Sequence, residues 1–396
     1  MKNLNFFSDK SDIENKTILV RLDLNVPIKQ KIIQDDTRII LSLPLIKKLI
    51  NKKAKVLIIS HLGRPNGNKV SDLSLSPIYK YLKKKLETNV YFYMGSFDSN
   101  LKRKLSYQKK GEVILFENIR FFKEEAENDE SFSKKLASIC DIYVNDAFSC
   151  SHRKQASIHN VAKFAKKSYG GPLLKKEIDS INLVLENSTK PVTCIIGGSK
   201  ITSKIEVINN LIKKVDNLII VGAMANNFLD FNGYNIGVSL IEKNTKEIIK
   251  EINKNAKEQN CEIIIPKDCK VGLKFSGKGR FKKLNEIQGN EMILDVGKKT
   301  IEIIYNKIDE SNTVLWNGPA GYFENDEFKN GTMSIAKKIS DNTKSKSLIS
   351  VLGGGDTLSA INKSNEKLSF THLSTAGGAF LEYLEGKDLP GLSVLK

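Results

Sequence analysis

Short runs dominated by valine, isoleucine and leucine alternate with longer amphipathic stretches from Thr17 almost to the end of the chain. No other feature narrows the possible folds so far. A strand covered on both faces reads as a continuous apolar run, and the helix that carries the chain to the next parallel strand reads as a 3.6-residue stripe. The alternation therefore predicts βαβ units and parallel sheets. Strands are expected at 17–23, 55–60, 113–116 and 141–144 in the first half, and at 192–196, 217–221, 262–265, 313–316, 348–352 and 372–374 in the second. The stretch 203–215 shows the helical stripe, with Ile205, Ile208, Ile212 and Val215 on one face. Ser76-Pro77 reads as an N-cap followed by a proline in the first turn.

A chain of 396 residues exceeds one ordinary core, so two domains are expected. The turn-rich stretch Ser168-Tyr169-Gly170-Gly171-Pro172 precedes a predicted connecting helix at 173–186 and marks the boundary. The expected division is 1–170, 171–380 and a closing segment, 381–396, that packs back toward the first domain. The expected fold class is α/β: two doubly wound parallel-sheet (Rossmann-like) domains joined by a hinge helix.

In open parallel sheets ligands bind beyond the carboxyl ends of the strands, and here those ends carry marks. After the first-half strands come Asp23-Leu24-Asn25, His61-Leu62-Gly63-Arg64, Glu117-Asn118-Ile119-Arg120 and Asn145-Asp146. After the second-half strands come Gly197-Gly198-Ser199-Lys200, Gly222-Ala223, Asn317-Gly318-Pro319, Gly353-Gly354-Gly355-Asp356-Thr357 and Ala376-Gly377-Gly378. The first set carries arginine and the second carries glycine. Guanidinium forks match carboxylate and phosphate bidentately, whereas glycine lets backbone N–H groups approach phosphates at helix starts. One domain is thus expected to grip a compact anion through Arg38, Arg64, Arg120 and Arg153, and the other to wrap a nucleotide. Lys200 and Lys204 lie near a helix start whose dipole favours anions. Asp356, at the start of another, is a candidate magnesium ligand, with a plain N-cap as the bland alternative.

Composition limits the alternatives. The chain is 40% hydrophobic and 27% charged, as a globular protein is, and no apolar run approaches membrane-spanning length. Met1 to Asp12 lacks the apolar centre of a signal peptide, so a cytoplasmic enzyme is expected. Five cysteines without a CxxC pair announce neither a disulfide framework nor a zinc site. The net charge of +18 comes largely from lysine runs such as Lys83-Lys84-Lys85 on outer helix faces. Neither aromatic interleaving nor a binding motif accompanies them, so no nucleic-acid partner is expected.

The segments VRLDLNVP (20–27), DDTRI (35–39), SHLGRP (60–65), ENIRFF (117–122), NDAFSCSHR (145–153), GGSKITSK (197–204), MANNFL (224–229), LWNGPAGYFE (315–324), GGGDT (353–357) and STAGGAFLE (374–382) stand in this order along the chain. Together they resemble the phosphoglycerate kinase family from Leu19 to Leu392. The resemblance implies a monomeric glycolytic kinase that binds 3-phosphoglycerate or 1,3-bisphosphoglycerate and ADP or ATP with Mg2+. It implies a substrate site of Asp23, Leu24, Asn25, Arg38, His61, Leu62, Gly63, Arg64, Arg120 and Arg153. It implies a nucleotide site of Gly198, Lys200, Lys204, Gly222, Pro319, Glu324, Gly353, Gly354, Gly355, Asp356 and Thr357, with Asp356 as the metal ligand. Arg38, Lys200 and Lys204 are the expected catalytic residues, and a hinge between the domains is expected to close. Three stretches depart from the family pattern: Ser149-Cys150-Ser151 replaces Gly-Thr-Ala, Ala223 replaces a glycine, and so does Ala376.

Two rival readings are a nicotinamide-dependent dehydrogenase, which would show GxGxxG after a strand, and a non-catalytic nucleic-acid binder driven by net charge, which no motif signals. The loop at 197–200 is not the GxxxxGK[ST] of a Walker A site either. The four histidines, His61, His152, His159 and His372, form no nucleophile and base arrangement in the sequence. Transfer to a carboxylate needs none, since that acceptor is already ionised at neutral pH.

Overall fold

The computed structural model describes residues 4–8, 12–364 and 366–396. The chain divides into two compact units, Met1–Glu177 together with Asp388–Lys396, and Ile178–Lys387.

The first unit is built on a six-stranded sheet in the order Val90–Tyr93, Val113–Phe116, Lys55–Ile59, Thr17–Arg21, Ile142–Asn145, Ser168–Gly170, with every pairing parallel. Ile18, Val20, Val56, Ile58, Leu115 and Val144 form one core with helix Thr37–Asn51, whose buried positions Ile39, Ser42, Leu45, Ile46 and Leu49 recur at helical spacing. The second unit has a six-stranded parallel sheet in the order Glu262–Ile264, Asn217–Ile220, Val192–Ile196, Thr313–Asn317, Ile349–Gly353, His372–Ser374. Numbered along the chain this is 3-2-1-4-5-6, the order of doubly wound dinucleotide folds.

Both sheets reverse their direction of growth beside their first strand. In the first unit the reversal lies between Thr17–Arg21 and Ile142–Asn145, and in the second between Val192–Ile196 and Thr313–Asn317. At such a switch point the connections leave to opposite sides and open a crevice past the carboxyl ends. Both candidate sites lie there.

The expected strands are present within a residue or two of their predicted ends, and five features differ. Val90–Tyr93 adds an edge strand to the first sheet, and Ser168–Gly170, read as a turn, forms its other edge, bridged by Phe6 to Gly170. The second unit also holds an antiparallel sheet, Arg280–Lys283, Asp268–Gly272, Met292–Val296, that the alternation did not announce. Ser76 is the first helical residue of Ser76–Lys85 rather than its cap, since Leu75 holds the cap position and the Ser76 N–H is met instead by Ser74 Oγ at 3.1 Å. The stripe at 203–215 opens as a 3-10 turn, Thr202–Lys204, and only Ile205–Ile212 is α-helical. That tighter turn returns the Lys204 side chain onto Gly197.

Helix Pro172–Leu185 contains the division between the units. Its N-terminus is held by Asp146, whose Oδ1 accepts from the N–H groups of Leu173 at 2.7 Å and Leu174 at 3.0 Å. Burial pushes the Asp146 carboxyl up to about 6 against those two bonds. A side chain at Gly171 would collide with Asp146, so the cap requires glycine there.

Candidate functional site

In the first unit the strand Thr17–Arg21 delivers Arg21 and then Asp23 to the switch point. Arg21 is fully buried and each of its three guanidinium nitrogens is engaged: Nε donates to Ser157 Oγ at 3.0 Å, Nη1 to the Leu22 carbonyl, and Nη2 to His61 Nδ1 at 3.2 Å. Ser157 in turn donates to Glu125 Oε1 at 2.6 Å, and Glu125 is itself fully buried. A buried guanidinium requires such partners. The network is a polar floor beneath the site, and it leaves His61 with Nδ1 as acceptor and the ring proton on Nε2.

Above the floor, Asp23 is the hub. Arg38, in the first turn of helix Thr37–Asn51, donates from Nη1 to Asp23 Oδ2 at 2.8 Å and to the Asn25 carbonyl at 3.0 Å. The Ser149 hydroxyl bonds the same Asp23 oxygen, and the Asn25 N–H bonds the other at 3.1 Å. Asn25 Oδ1 accepts from the Gly63 N–H at 2.9 Å, and Arg120 Nη1 donates to the Gly63 carbonyl at 2.8 Å. Gly63 takes φ +60° here, a conformation glycine adopts without strain. Leu24 and Leu62 are buried and tie the loops from behind, through Leu24 N–H to Ser60 and the Leu62 carbonyl from Asn118. Arg153 is half-buried and donates from Nε to His152 at 3.2 Å, while Arg64 is exposed.

The electrostatics follow from this packing. Burial opposes the Asp23 carboxylate, but the Arg38 guanidinium, the Ser149 hydroxyl and the Asn25 N–H hold its pKa below the ordinary value. Burial, reinforced by Arg21, Arg120 and Arg38, keeps His61 well below the usual histidine range despite Asp23, so the ring is neutral. Burial first, with Arg21 and Arg153 adding repulsion, brings Arg120 down to about 10. The site therefore concentrates positive charge around a neutral donor and one committed carboxylate, which suits a multiply charged anion.

The second site is made of backbone. Gly197 and Gly318 face each other so closely that a Cβ on Gly197 would stand 2.6 Å from the Gly318 carbonyl oxygen and would also strike that of Pro319. A Cβ on Gly222 would meet Gly198 N at 2.8 Å and the Pro319 carbonyl oxygen at 2.9 Å. Lys204, mostly buried, donates from Nζ to the Gly197 carbonyl and to Asn317 Oδ1, both at 2.7 Å. Burial brings its pKa down to about 8, with Cys194 and Asp356 acting in the opposite sense. Asn317 also donates from Nδ2 to the Gly353 carbonyl at 2.8 Å, and Thr357 Oγ1 accepts from the Gly318 N–H at 2.8 Å. These bonds clamp the ends of three strands. Helix Gly355–Asn362 starts from Gly354, so Asp356 is its second residue and not its N-cap.

Two adjoining cavities result, both lined by Gly198, Ser199 and Asp356. One, of about 240 Å3, is walled by Gly222, Ala223, Leu240, Phe275, Pro319 and Glu324. The other, of about 350 Å3, is walled by Lys200, Lys204, Gly354, Gly355 and Gly377. An apolar slot beside a glycine and lysine basin has the shape and polarity of a nucleoside next to its phosphates. Asp356 is exposed at the junction, and a hard oxygen donor with room for water around it fits magnesium, which keeps most of its water shell.

The structure brings Asp23, Asn25, Arg38, His61, Gly63 and Arg120 into one bonded cluster, and gathers Gly198, Lys200, Lys204, Gly354, Gly355, Asp356 and Thr357 around one cavity. Gly353 lies behind that cavity as the acceptor for Asn317. Arg21 and Glu125 escaped the sequence reading, although an arginine closing an otherwise apolar strand is a signal, since a buried charge demands partners.

One α/β unit with guanidinium groups at its switch point, and a second with glycine backbone and lysine at its own, fit a phosphotransferase. The phosphoglycerate kinase family model matches residues 8–387. Phosphoglycerate kinase of Wolbachia pipientis from Culex pipiens is 44% identical over 386 residues, 97% of each chain, and that of Dictyoglomus turgidum is 44% identical over 97% of this chain and 96% of its own. The solved structure of phosphoglycerate kinase from Coxiella burnetii superposes with TM-score 0.90 at 40% identity, covering 98% of both chains. The chain belongs to the phosphoglycerate kinase family. Its reaction is reversible phosphoryl transfer between 1,3-bisphosphoglycerate and ADP, giving 3-phosphoglycerate and ATP, a step of glycolysis.

Proposed function

We propose that the first unit holds 3-phosphoglycerate through Asp23, Leu24, Asn25, Arg38, His61, Leu62, Gly63, Arg64, Arg120 and Arg153. The second unit holds the nucleotide through Gly198, Lys200, Lys204, Gly222, Pro319, Glu324 and Gly353 to Thr357. The observation that carries this division is the contrast between the switch points: guanidinium groups around Asp23 and His61 in one, glycine backbone around Lys204 in the other.

In the ATP-consuming direction the acceptor carboxylate of 3-phosphoglycerate is an ionised nucleophile, so the chain's residues orient it and neutralise charge instead of removing a proton. Neutral His61 presents Nε2–H as a donor. Arg38 exchanges its bond to Asp23 for the transferring phosphoryl oxygens, and Lys204 exchanges its carbonyl partners for phosphate, with Lys200 beside it. The N–H groups that open helix Gly355–Asn362 add fixed donors. Mg2+ bound by Asp356 would offset charge on the nucleotide phosphates.

The protein acts as a cytoplasmic monomer without nucleic-acid or membrane partners. The lysine runs of its outer helix faces support a solvated surface, and among the described residues no helix is long and apolar enough to cross a membrane.

The test is ATP-dependent phosphorylation of 3-phosphoglycerate, coupled through glyceraldehyde-3-phosphate dehydrogenase to NADH loss. Turnover that requires both 3-phosphoglycerate and magnesium, and that falls in Arg38→Ala while ATP still binds, is the expected result. Undiminished turnover in Arg38→Ala removes that residue from the mechanism.

A further inference from the structure

Asp23, His61 and Cys150 come from three separate loops, yet each presents a donor atom within 4.8 Å of the other two. We propose that they form a binding site for a thiophilic divalent cation of the zinc type, set into the floor of the basic site. Cys150 Sγ lies 3.9 Å from His61 Nδ1, which lies 4.0 Å from Asp23 Oδ1. Tetrahedral bonds of about 2.0–2.3 Å space their ligand atoms roughly 3.3–3.8 Å apart, so contractions between a few tenths of an ångström and about 1.3 Å complete three corners. A set of one sulfur, one nitrogen and one oxygen selects zinc or cobalt over magnesium, which takes oxygen ligands.

The surroundings are already arranged for such an ion. Arg21 donates to His61 Nδ1, so the ring keeps its proton on Nε2 and offers the metal the lone pair that Arg21 now occupies. The same Nη2 stands 3.8 Å from Cys150 Sγ and can turn to it, supporting the thiolate as an outer hydrogen bond. On coordination the Cys150 thiol loses its proton to solvent, and the carboxylate and thiolate together balance the two charges of the ion. Arg38 and Arg120 oppose the approach of a cation, which places the affinity below that of a closed four-ligand zinc site and leaves the fourth position to water. A threonine at position 150 would supply no thiolate, so the site depends on the cysteine there.

Cobalt(II) titrated into the full chain without substrate tests this directly. One cobalt per chain with a thiolate-to-cobalt charge-transfer band in the near ultraviolet, bleached by an equivalent of zinc, is expected. Cys150→Ser and Cys150→Thr, each checked for folding by circular dichroism, lose the band and bind zinc at least about a hundredfold more weakly against a chromogenic chelator. Cys261→Ser keeps the band. A folded wild-type chain without the band, or a band that survives in either folded Cys150 variant, overturns the proposal.

Discussion

The two candidate sites occupy the same place in their sheets but are made of different material. Beyond Thr17–Arg21 the site is side chain: Arg21, Asp23, Arg38, His61 and Arg120 are held by one another, so its shape and its charge come from the same atoms. Beyond Val192–Ile196 the site is main chain, with Gly197, Gly198, Gly222 and Gly318 packed so closely that there is no room for a methyl group at Gly197 or Gly222. The first should respond to substitution through electrostatics while its loops stay in place. The second should respond through geometry, even when no charge changes.

The largest effect that would sharpen this contrast is Arg38→Ala, which should lower kcat roughly a thousandfold, as loss of a phosphoryl-stabilising arginine does, while nucleotide affinity measured by calorimetry holds. Gly197→Ala is its counterpart: the added Cβ displaces the Gly318 and Pro319 carbonyls, so nucleotide affinity should fall about a hundredfold with a lowered Tm and no change in charge. An unaltered nucleotide Kd in that variant would break the comparison.

Lys204 is the charge held inside the backbone site by the Gly197 carbonyl and Asn317, and its pKa of about 8 makes it titratable in the working range. Because folding depresses that pKa, the positive charge is lost as pH rises through about 8. Nucleotide affinity should then fall by up to about tenfold per pH unit, with proton uptake on binding, and Lys204→Met should remove the slope.

Asp295 lines the apolar cavity, accepts from the Gly331 N–H at 2.8 Å, and is pushed up to about 7 by burial. Its folded pKa exceeds the unfolded value of about 4. The stability it contributes is therefore fully present below about pH 4 and lost as pH rises through about 7, and Asp295→Asn should flatten that part of the Tm profile. The smallest effect is expected for Ala223→Gly, where one methyl at the cavity wall should shift nucleotide Kd by less than about fivefold.

Much of the architecture was legible because parallel strands buried on both faces leave uninterrupted apolar runs, as at Val192–Ile196, where every residue is buried. Arg280–Lys283 was not legible, since an edge strand of an antiparallel sheet can be mostly charged and mostly exposed. Ser168–Gly170 carries turn residues, and what makes it a strand is its pairing with Tyr143 to Asn145. In the sites, the strand-end motifs pointed to Asp23, His61, Lys204 and Asp356, because loops at those ends have few other reasons to carry such groups. The sequence offered no comparable pointer to the joining of Arg21, Glu125 and Ser157, or of Asp23, His61 and Cys150, for these contacts connect residues far apart in the chain.

The first unit is closed by residues that the ribosome delivers after the whole second unit. Gly391 donates its N–H to the Ser151 carbonyl, its own carbonyl accepts from Asn145, and the Leu395 carbonyl accepts from Asn5, while Leu389, Leu392 and Leu395 are buried. Synthesis runs from the N-terminus at roughly 5–20 residues per second, so the unit that emerges first waits through the translation of Ile178–Lys387 before its last apolar surface is covered. Its loop at Asn145 to Ser151, which carries Ser149 and Cys150 into the basic site, acquires its final support only then. Completion of that site is thereby coupled to the synthesis of residues 388–396, and a nascent chain stalled before Asp388 would carry it without that support.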